Sequence, residues 1–207
     1  MLDTVLAWLN SPVGHVLGAP LSWAELLGFA TGLWCVALVA RRNVLNFPVG
    51  IANCALLLLL FAEARLYADA GLQLVFIALG LQGWWLWQRD RGSRHEAVAV
   101  TRAGRAELSR VIALCLLLAT ALYLLLTWAR GSVPVLDALI AALSLAAQWL
   151  LNRRKLEHWY FWITVDVISI PVYAYKELYL VALLYAVYLV LCIGGLRAWR
   201  RALADGR

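Results

Sequence analysis

Charge is scarce in this chain: Asp, Glu, Lys and Arg make up 14% of its 207 residues, against about a quarter in an ordinary soluble domain. With 64% of the residues apolar, the shortage excludes a soluble fold, whose surface needs polar cover. Catalytic signatures are missing as well. There is no HExxH, no GxSxG and no Walker lysine loop, and His15, His95 and His158 lie at segment ends without metal-ligand spacing. Enzymatic chemistry, a metal centre, an ATP-driven pump and a bound cofactor therefore find no support. The four cysteines, Cys35, Cys54, Cys115 and Cys192, fall one to each of four apolar runs with no CxxC, as small buried apolar residues do. The first 20 residues lack a basic n-region and a small-residue cleavage site, which argues against a removable signal peptide. Residues 2–16 read instead as a short interfacial segment.

What the chain has is apolar runs at 21–40, 47–62, 72–87, 111–128, 135–151, 159–175 and 178–196. Each is near the length of about 20 residues that crosses a bilayer, so the expected fold is an all-α integral membrane protein of seven transmembrane helices. The net charge of +6 does not indicate nucleic acid, because the basic residues sit between the runs and form no contiguous track. Seven spans place Arg41, Arg42, Arg89, Arg91, Arg94, Arg102, Arg105, Arg110, Arg153, Arg154, Lys155, Arg197, Arg200, Arg201 and Arg207 on one side, and Arg65, Arg130 and Lys176 on the other. Of the 18 basic residues, 15 thus share a side. The positive-inside rule makes that side cytoplasmic, with the N-terminus outside and the C-terminus inside a bacterial-type inner membrane.

Sliding the chain by 112 residues lays 21–89 on 133–201. Glu25 then meets Asp137, Arg41–Arg42 meets Arg153–Arg154, Phe47 meets Trp159, Phe61 meets Tyr173, Leu66–Tyr67 meets Leu178–Tyr179, Gly83 meets Gly195 and Trp87 meets Trp199. Charged, aromatic and glycine matches at one offset point to a duplication. The expected organisation is an interfacial segment (1–20), a first three-helix repeat (21–89), a basic cytoplasmic linker (90–110), a linking transmembrane helix (111–130), a second repeat (131–201) and a tail (202–207). An odd linking helix returns the chain to its starting side, so the repeats run parallel. Some solute carriers use that plan, with the site near the midplane between the halves. A duplicated scaffold that transports nothing is the alternative.

Polar side chains inside a span are costly, so each is a candidate for function. Asp137, Ser144 and Gln148, spaced by seven and four, share one helix face. Asp166 and Tyr173 share another face, with Trp162 and Trp159 about one and two turns earlier, and Asn53 lies at comparable depth in the second run. Asp166 suits a counter-ion, and the indole faces beside it can hold a flat cation by stacking and charge. Asp137, near the start of its run, also fits a carboxylate favoured by the helix dipole. Trp8, Trp23, Trp84, Trp85, Trp87, Trp128, Trp149 and Trp199 read as belt anchors at the membrane interfaces.

The stretch from Asp137 through Gln148–Trp149, Arg153–Arg154–Lys155, Glu157-x-Trp159-x-x-Trp162, Asp166, Tyr173-x-Tyr175–Lys176, Gly195 and Trp199 resembles the nicotinamide riboside transporter (PnuC) family. Leu66–Tyr67–Ala68–Asp69, Leu72–Gln73 and Gly83–Trp84-x-x-Trp87 fit the same family, and the resemblance covers 21–201. It implies a three-plus-one-plus-three fold like that of the SWEET sugar carriers, a homotrimer, and facilitated diffusion of nicotinamide riboside, a form of vitamin B3, for NAD synthesis. Thiamine, also a ring cation, and the uncharged riboflavin are the other vitamins it brings in. By motif match it assigns substrate binding to Gln148, Trp159, Trp162, Asp166 and Tyr173.

Overall fold

The computed structural model describes residues 2–16, 19–63, 65–90, 99–128 and 133–206. They form α1 (Leu2–Leu9), a hairpin of β1 (Pro12–Val16) and β2 (Ala19–Ser22), then α2 (Trp23–Ala40), α3 (Asn46–Glu63), α4 (Tyr67–Asp90), α5 (Arg105–Trp128), α6 (Pro134–Asn152), α7 (His158–Tyr175) and α8 (Tyr179–Ala204). Arg91, Arg94, His95, Arg130 and Arg207 lie outside the described residues. The small antiparallel hairpin is the departure from an all-helical chain. It delivers Ser22 as the N-cap of α2, where Ser22 Oγ accepts from Glu25 N at 3.2 Å and Glu25 Oε2 accepts from Ser22 N at 2.9 Å. This capping box satisfies two otherwise orphaned backbone donors.

Among the described residues six helices, α2 to α6 and α8, are long and apolar enough to cross a membrane. The run read as a seventh span is the 18-residue helix α7, which falls outside that set. The reason is local: α7 carries His158, Asp166 and Ser169 among its buried residues, so its composition reflects polar groups turned into the protein. An 18-residue stretch of α5 reaches a mean hydropathy of 2.4, the highest among the six, and the helix buries only Val111 and Cys115. It leans on α6 and turns leucines such as Leu114, Leu117 and Leu124 outward.

The helices pack in matched pairs. α3 lies against α2 and α4, α7 lies against α6 and α8, and the two groups meet where α2 packs on α8 and α4 on α6. Their turns match in detail. Left-handed backbone occurs at Arg42 (φ 55) and Arg154 (φ 59), and at Arg65 (φ 58) and Glu177 (φ 60); each pair is 112 positions apart. The bonds closing these turns recur at the same offset, with Asn43 N to Leu38 O at 2.9 Å answered by Lys155 N to Leu150 O at 3.0 Å. Leu66 N to Phe61 O at 2.8 Å is answered by Leu178 N to Tyr173 O at 2.9 Å. None of the four is glycine, and each left-handed residue costs roughly 1–2 kcal/mol of strain that the surrounding bonds must hold.

An aromatic cluster ties the groups together at the end bearing the α2–α3 and α6–α7 turns. Trp87 Nε1 donates to Leu151 O at 3.3 Å, and Trp199 Nε1 donates to Val39 O at 2.9 Å. Phe47 meets Trp87 edge-on at 5.1 Å, while Trp159 meets Trp199 edge-on at 5.9 Å. Glycine is required beneath both rings: a Cβ on Gly195 would strike the indole of Trp159, and one on Gly83 would strike Phe47 and Asn152. Trp87 and Trp199 are therefore core residues, 0% and 1% exposed, and the belt reading fails for both. It stays open for Trp85, which is 58% exposed beneath the Arg89 guanidinium at 5.0 Å. The linker docks on the same end, where Thr101 N donates to Arg154 O, Leu156 N to Thr101 O, and Ala103 N to Glu157 Oε2.

Gly195→Ala should lower stability by about 1–3 kcal/mol, the usual effect of overpacking a filled core. Thermal unfolding in detergent checks this, with Gly194→Ala, which meets nothing within 4 Å, expected to change little.

Candidate functional site

A cavity of about 780 Å³ lies inside the bundle, walled by residues from all seven long helices; sites for small molecules usually measure about 300–1,000 Å³. Helical spacing decides which residues reach it. α6 presents Asp137, Ile140, Ala141, Ser144, Gln148 and Leu151, and α4 presents Asp69, Leu72, Gln73, Phe76 and Gly80, each a stripe at intervals of three and four. α7 contributes Trp159, Trp162, Val165, Asp166 and Tyr173, and α8 contributes Tyr185, Tyr188 and Cys192. Among the described residues, no group of three His, Cys, Asp or Glu side chains is placed to hold a metal ion.

All eight sequence candidates, Asn53, Asp137, Ser144, Gln148, Trp159, Trp162, Asp166 and Tyr173, line this one cavity, but their polar atoms are not equally free. Asn53 Nδ2 is spent on α2, donating to Gly28 O at 2.8 Å and Thr31 Oγ1 at 2.7 Å. Ser144 Oγ donates to Ile140 O at 2.8 Å in its own helix. Gln148 Nε2 donates to Asn152 Oδ1 at 3.0 Å, and Asn152 Nδ2 in turn donates to Leu79 O at 2.7 Å and Gln82 Oε1 at 3.3 Å, a chain that links α6 to α4. Asp137 holds Lys176 in an ion pair at 3.0 Å. Tyr173 stacks on Tyr185 with centroids 5.2 Å apart.

Two candidates retain buried unpaired polar atoms. Asp166 is 3% exposed and its Oδ2 has no hydrogen-bond partner. Trp159 Nε1 is likewise unpartnered, although its ring is largely committed to the aromatic core beside His158 at 4.5 Å. A buried carboxylate oxygen without a partner is expensive in a protein interior. One that borders a cavity is a place where a bound group can supply what the protein withholds. Trp162, one turn before Asp166 and only partly buried, offers an indole at the same wall. The cavity can thus take a flat, positively charged ring between Trp162 and Asp166, with tyrosine and amide groups around it.

A family model for the nicotinamide mononucleotide transporter matches residues 22–201. The chain belongs to this family. It is 25% identical over 216 residues to the nicotinamide riboside transporter PnuC of Escherichia coli strain K12, spanning 92% of this chain and 90% of that one. It is 29% identical over 199 residues to the riboflavin/roseoflavin transporter RibM of Streptomyces davaonensis, spanning 93% and 91%. A crystal structure of the vitamin B3 transporter PnuC superposes with a TM-score of 0.74 at 21% identity, over 89% of this chain and 83% of that one. The membrane-carrier family and its helical fold follow from these matches together.

Several lining residues escape a reading of single runs. Asp69 and Lys176 sit at helix ends, where charge is ordinary, and Asn152 precedes a basic turn. Tyr185 and Tyr188 stand in a long apolar run, yet their spacing of three, with Cys192 four further on, puts all three on one face and was the available signal. Cys35, Cys54 and Cys192 also border the cavity, so three of the four thiols pack around the site.

Asp166→Asn preserves shape and removes the buried negative charge. Its thermal stability should equal the parent's or exceed it by up to about 2 kcal/mol, whereas a carboxylate serving only as a structural partner would lose stability on the same change.

Proposed function

We propose that this chain is a uniporter for nicotinamide riboside, supplying NAD synthesis. The observation that carries the proposal is the cavity between the two helix groups, with the unpaired carboxyl oxygen of Asp166 one turn from Trp162. A permanent pyridinium cation answers both features, by charge to the carboxylate and by its face to the indole. The family relatives named for this vitamin support the reading. Thiamine, another ring cation, satisfies the same two groups. The likeness to RibM favours a second reading, riboflavin, but an uncharged ring leaves Asp166 uncompensated.

The charge of the cavity favours the riboside over its phosphorylated mononucleotide. Asp69, Asp137 and Asp166 line it against Lys176, and Lys176 is already held by Asp137. A phosphate would meet a net negative wall.

The architecture we propose is seven membrane-spanning helices in two parallel repeats, α2–α4 and α6–α8, joined by α5. Support comes from the turn residues, turn hydrogen bonds and reciprocal tryptophan bonds that recur at an offset of 112. The proposed assembly is a homotrimer in the bacterial inner membrane, and the trimer rests on the family resemblance. The end bearing the tryptophan cluster faces the cytoplasm, with the N-terminus outside and the C-terminus inside, following the distribution of arginine. Asn53, Asp137, Ser144, Gln148, Trp159, Trp162, Asp166 and Tyr173 form the proposed substrate path. Asp166 and Trp162 grip the ring, and the hydrogen-bonded amides hold the wall in place. The proposed driving force is the solute's own gradient and charge. A monocation crossing alone gains about 2.3 kcal/mol per 100 mV of inside-negative potential.

Binding of nicotinamide riboside, thiamine and riboflavin to purified protein ranks the substrates, with the riboside expected first. Asp166→Asn and Trp162→Ala should each weaken its binding by about 1–3 kcal/mol; unchanged affinity in both would move the site. In liposomes under a potassium diffusion potential, uptake should rise with inside-negative voltage and ignore a pH gradient. Uptake that follows pH and ignores voltage would contradict uniport.

A further inference from the structure

At the end of the cavity formed by the α3–α4 and α7–α8 turns, an organic cation already occupies an aromatic and acidic pocket, and it belongs to the protein. Lys176 Nζ lies 3.0 and 3.2 Å from the two carboxylate oxygens of Asp137 and 5.7 Å from the centroid of the Tyr173 ring. Tyr173 is backed by Tyr185 in a parallel stack. Asp69, on α4, borders the same cavity. A carboxylate in direct contact and a supported ring face form the set that holds a cation in water-accessible sites. All five residues line the cavity that Asp166 borders with its unpartnered oxygen.

Accessibility separates the two places. The side chains of Lys176 and Asp137 keep 23% and 34% of their exposure, so a solute can reach them, whereas Asp166 is 3% exposed and lies ten residues back along α7, about 15 Å at 1.5 Å per residue. A solute arriving from this end meets the Lys176 pocket before it meets Asp166.

We propose that Lys176 is a tethered competitor of the transported cation, holding Asp137 and the face of Tyr173 until an incoming cation displaces its ammonium. The lysine therefore sets specificity. A solute with its own positive charge replaces the ammonium charge for charge and leaves Asp137 paired. An uncharged solute of the same shape can only displace the lysine by stranding Asp137. Because the side chain remains attached, it returns once the solute moves inward, which keeps the pocket from retaining its cargo. This inference rests on the proposed transport of a flat organic cation.

The test is equilibrium binding of two ligands of nearly equal shape, nicotinamide riboside and its uncharged 1,4-dihydro form, to wild type and to the Asp166→Asn protein, whose weakened inner site lets the Lys176 pocket be read, the latter with Lys176 kept or changed to Met or Arg. In the Asp166→Asn background, removing the competitor should tighten binding of the cation about three- to tenfold, the scale of a partly exposed ion pair, and leave the dihydro form within about twofold. Lys176→Arg, which keeps the charge, should bind as the protein with Lys176 does. Lys176→Gln carries the same readings if the methionine variant fails to fold. Tightening of both ligands by one factor, or unchanged or weaker binding of the cation, overturns the inference and leaves the proposed function standing. Wild-type protein that binds neither ligand overturns the proposed function, and this inference with it.

Discussion

Two indole N–H groups hold the cavity's floor in place. Trp87, at the end of α4, donates to a carbonyl near the end of α6, and Trp199, in α8, donates to the corresponding carbonyl of α2. Buried at 0% and 1% exposure, these indoles have no water to exchange with, so an unpaired N–H or carbonyl there would cost several kcal/mol. Because each bond crosses from one helix group to the other, neither group can complete its own end. The aromatic cluster packed around them, with glycine forced beneath Trp159, then closes the cavity on this side and leaves the opposite end to Lys176, Asp137 and Asp69.

Seen from that floor, the asymmetry of the chain has a physical reading. At matched positions along the offset, Ser144 stands where the first group has Gly32, Trp162 where it has Gly50, Asp166 where it has Cys54, and Tyr173 where it has Phe61. All eight of these residues border the cavity. At these positions bulk and polarity have collected on α6 and α7, while Gly32, Gly50 and Cys54 are smaller than their matches. At Gly32 the missing side chain has a further role, since a Cβ there would strike the hydroxyl of Tyr188 on α8. A site between two similar groups can recognise an asymmetric molecule only if the groups differ in this way.

Much of this arrangement was legible in the sequence. Six of the seven runs read as spans are helices long and apolar enough to cross a membrane, while the run at 159–175 is a helix outside that set; the turns at Arg42 and Arg154, which the offset of 112 pairs, use the same backbone solution. Six of the candidates were found as polar groups where apolar ones are cheaper and Trp159 and Trp162 by their place before Asp166, and all eight line one cavity. The belt assignment of Trp87 and Trp199 failed for a physical reason: a tryptophan near the end of an apolar run serves a lipid interface or a helix contact equally well. Only the partner, here a carbonyl on a distant helix, decides between them. The pocket around Lys176 was hidden similarly, since Asp69 and Lys176 are 107 residues apart and each alone is an ordinary charge at a helix end. The hairpin before α2 was missed because four- and five-residue strands carry too little pattern to be told from an irregular interfacial segment.

The central claim is that a cationic ring is held between the halves, against Asp166 and Trp162. The structure of the protein with nicotinamide riboside bound tests it most directly. The account predicts the pyridinium ring stacked on the indole of Trp162, with its charge facing the free oxygen of Asp166. A ligand found on the outer, lipid-facing surface, or in the cavity with its ring turned away from both residues, would contradict it.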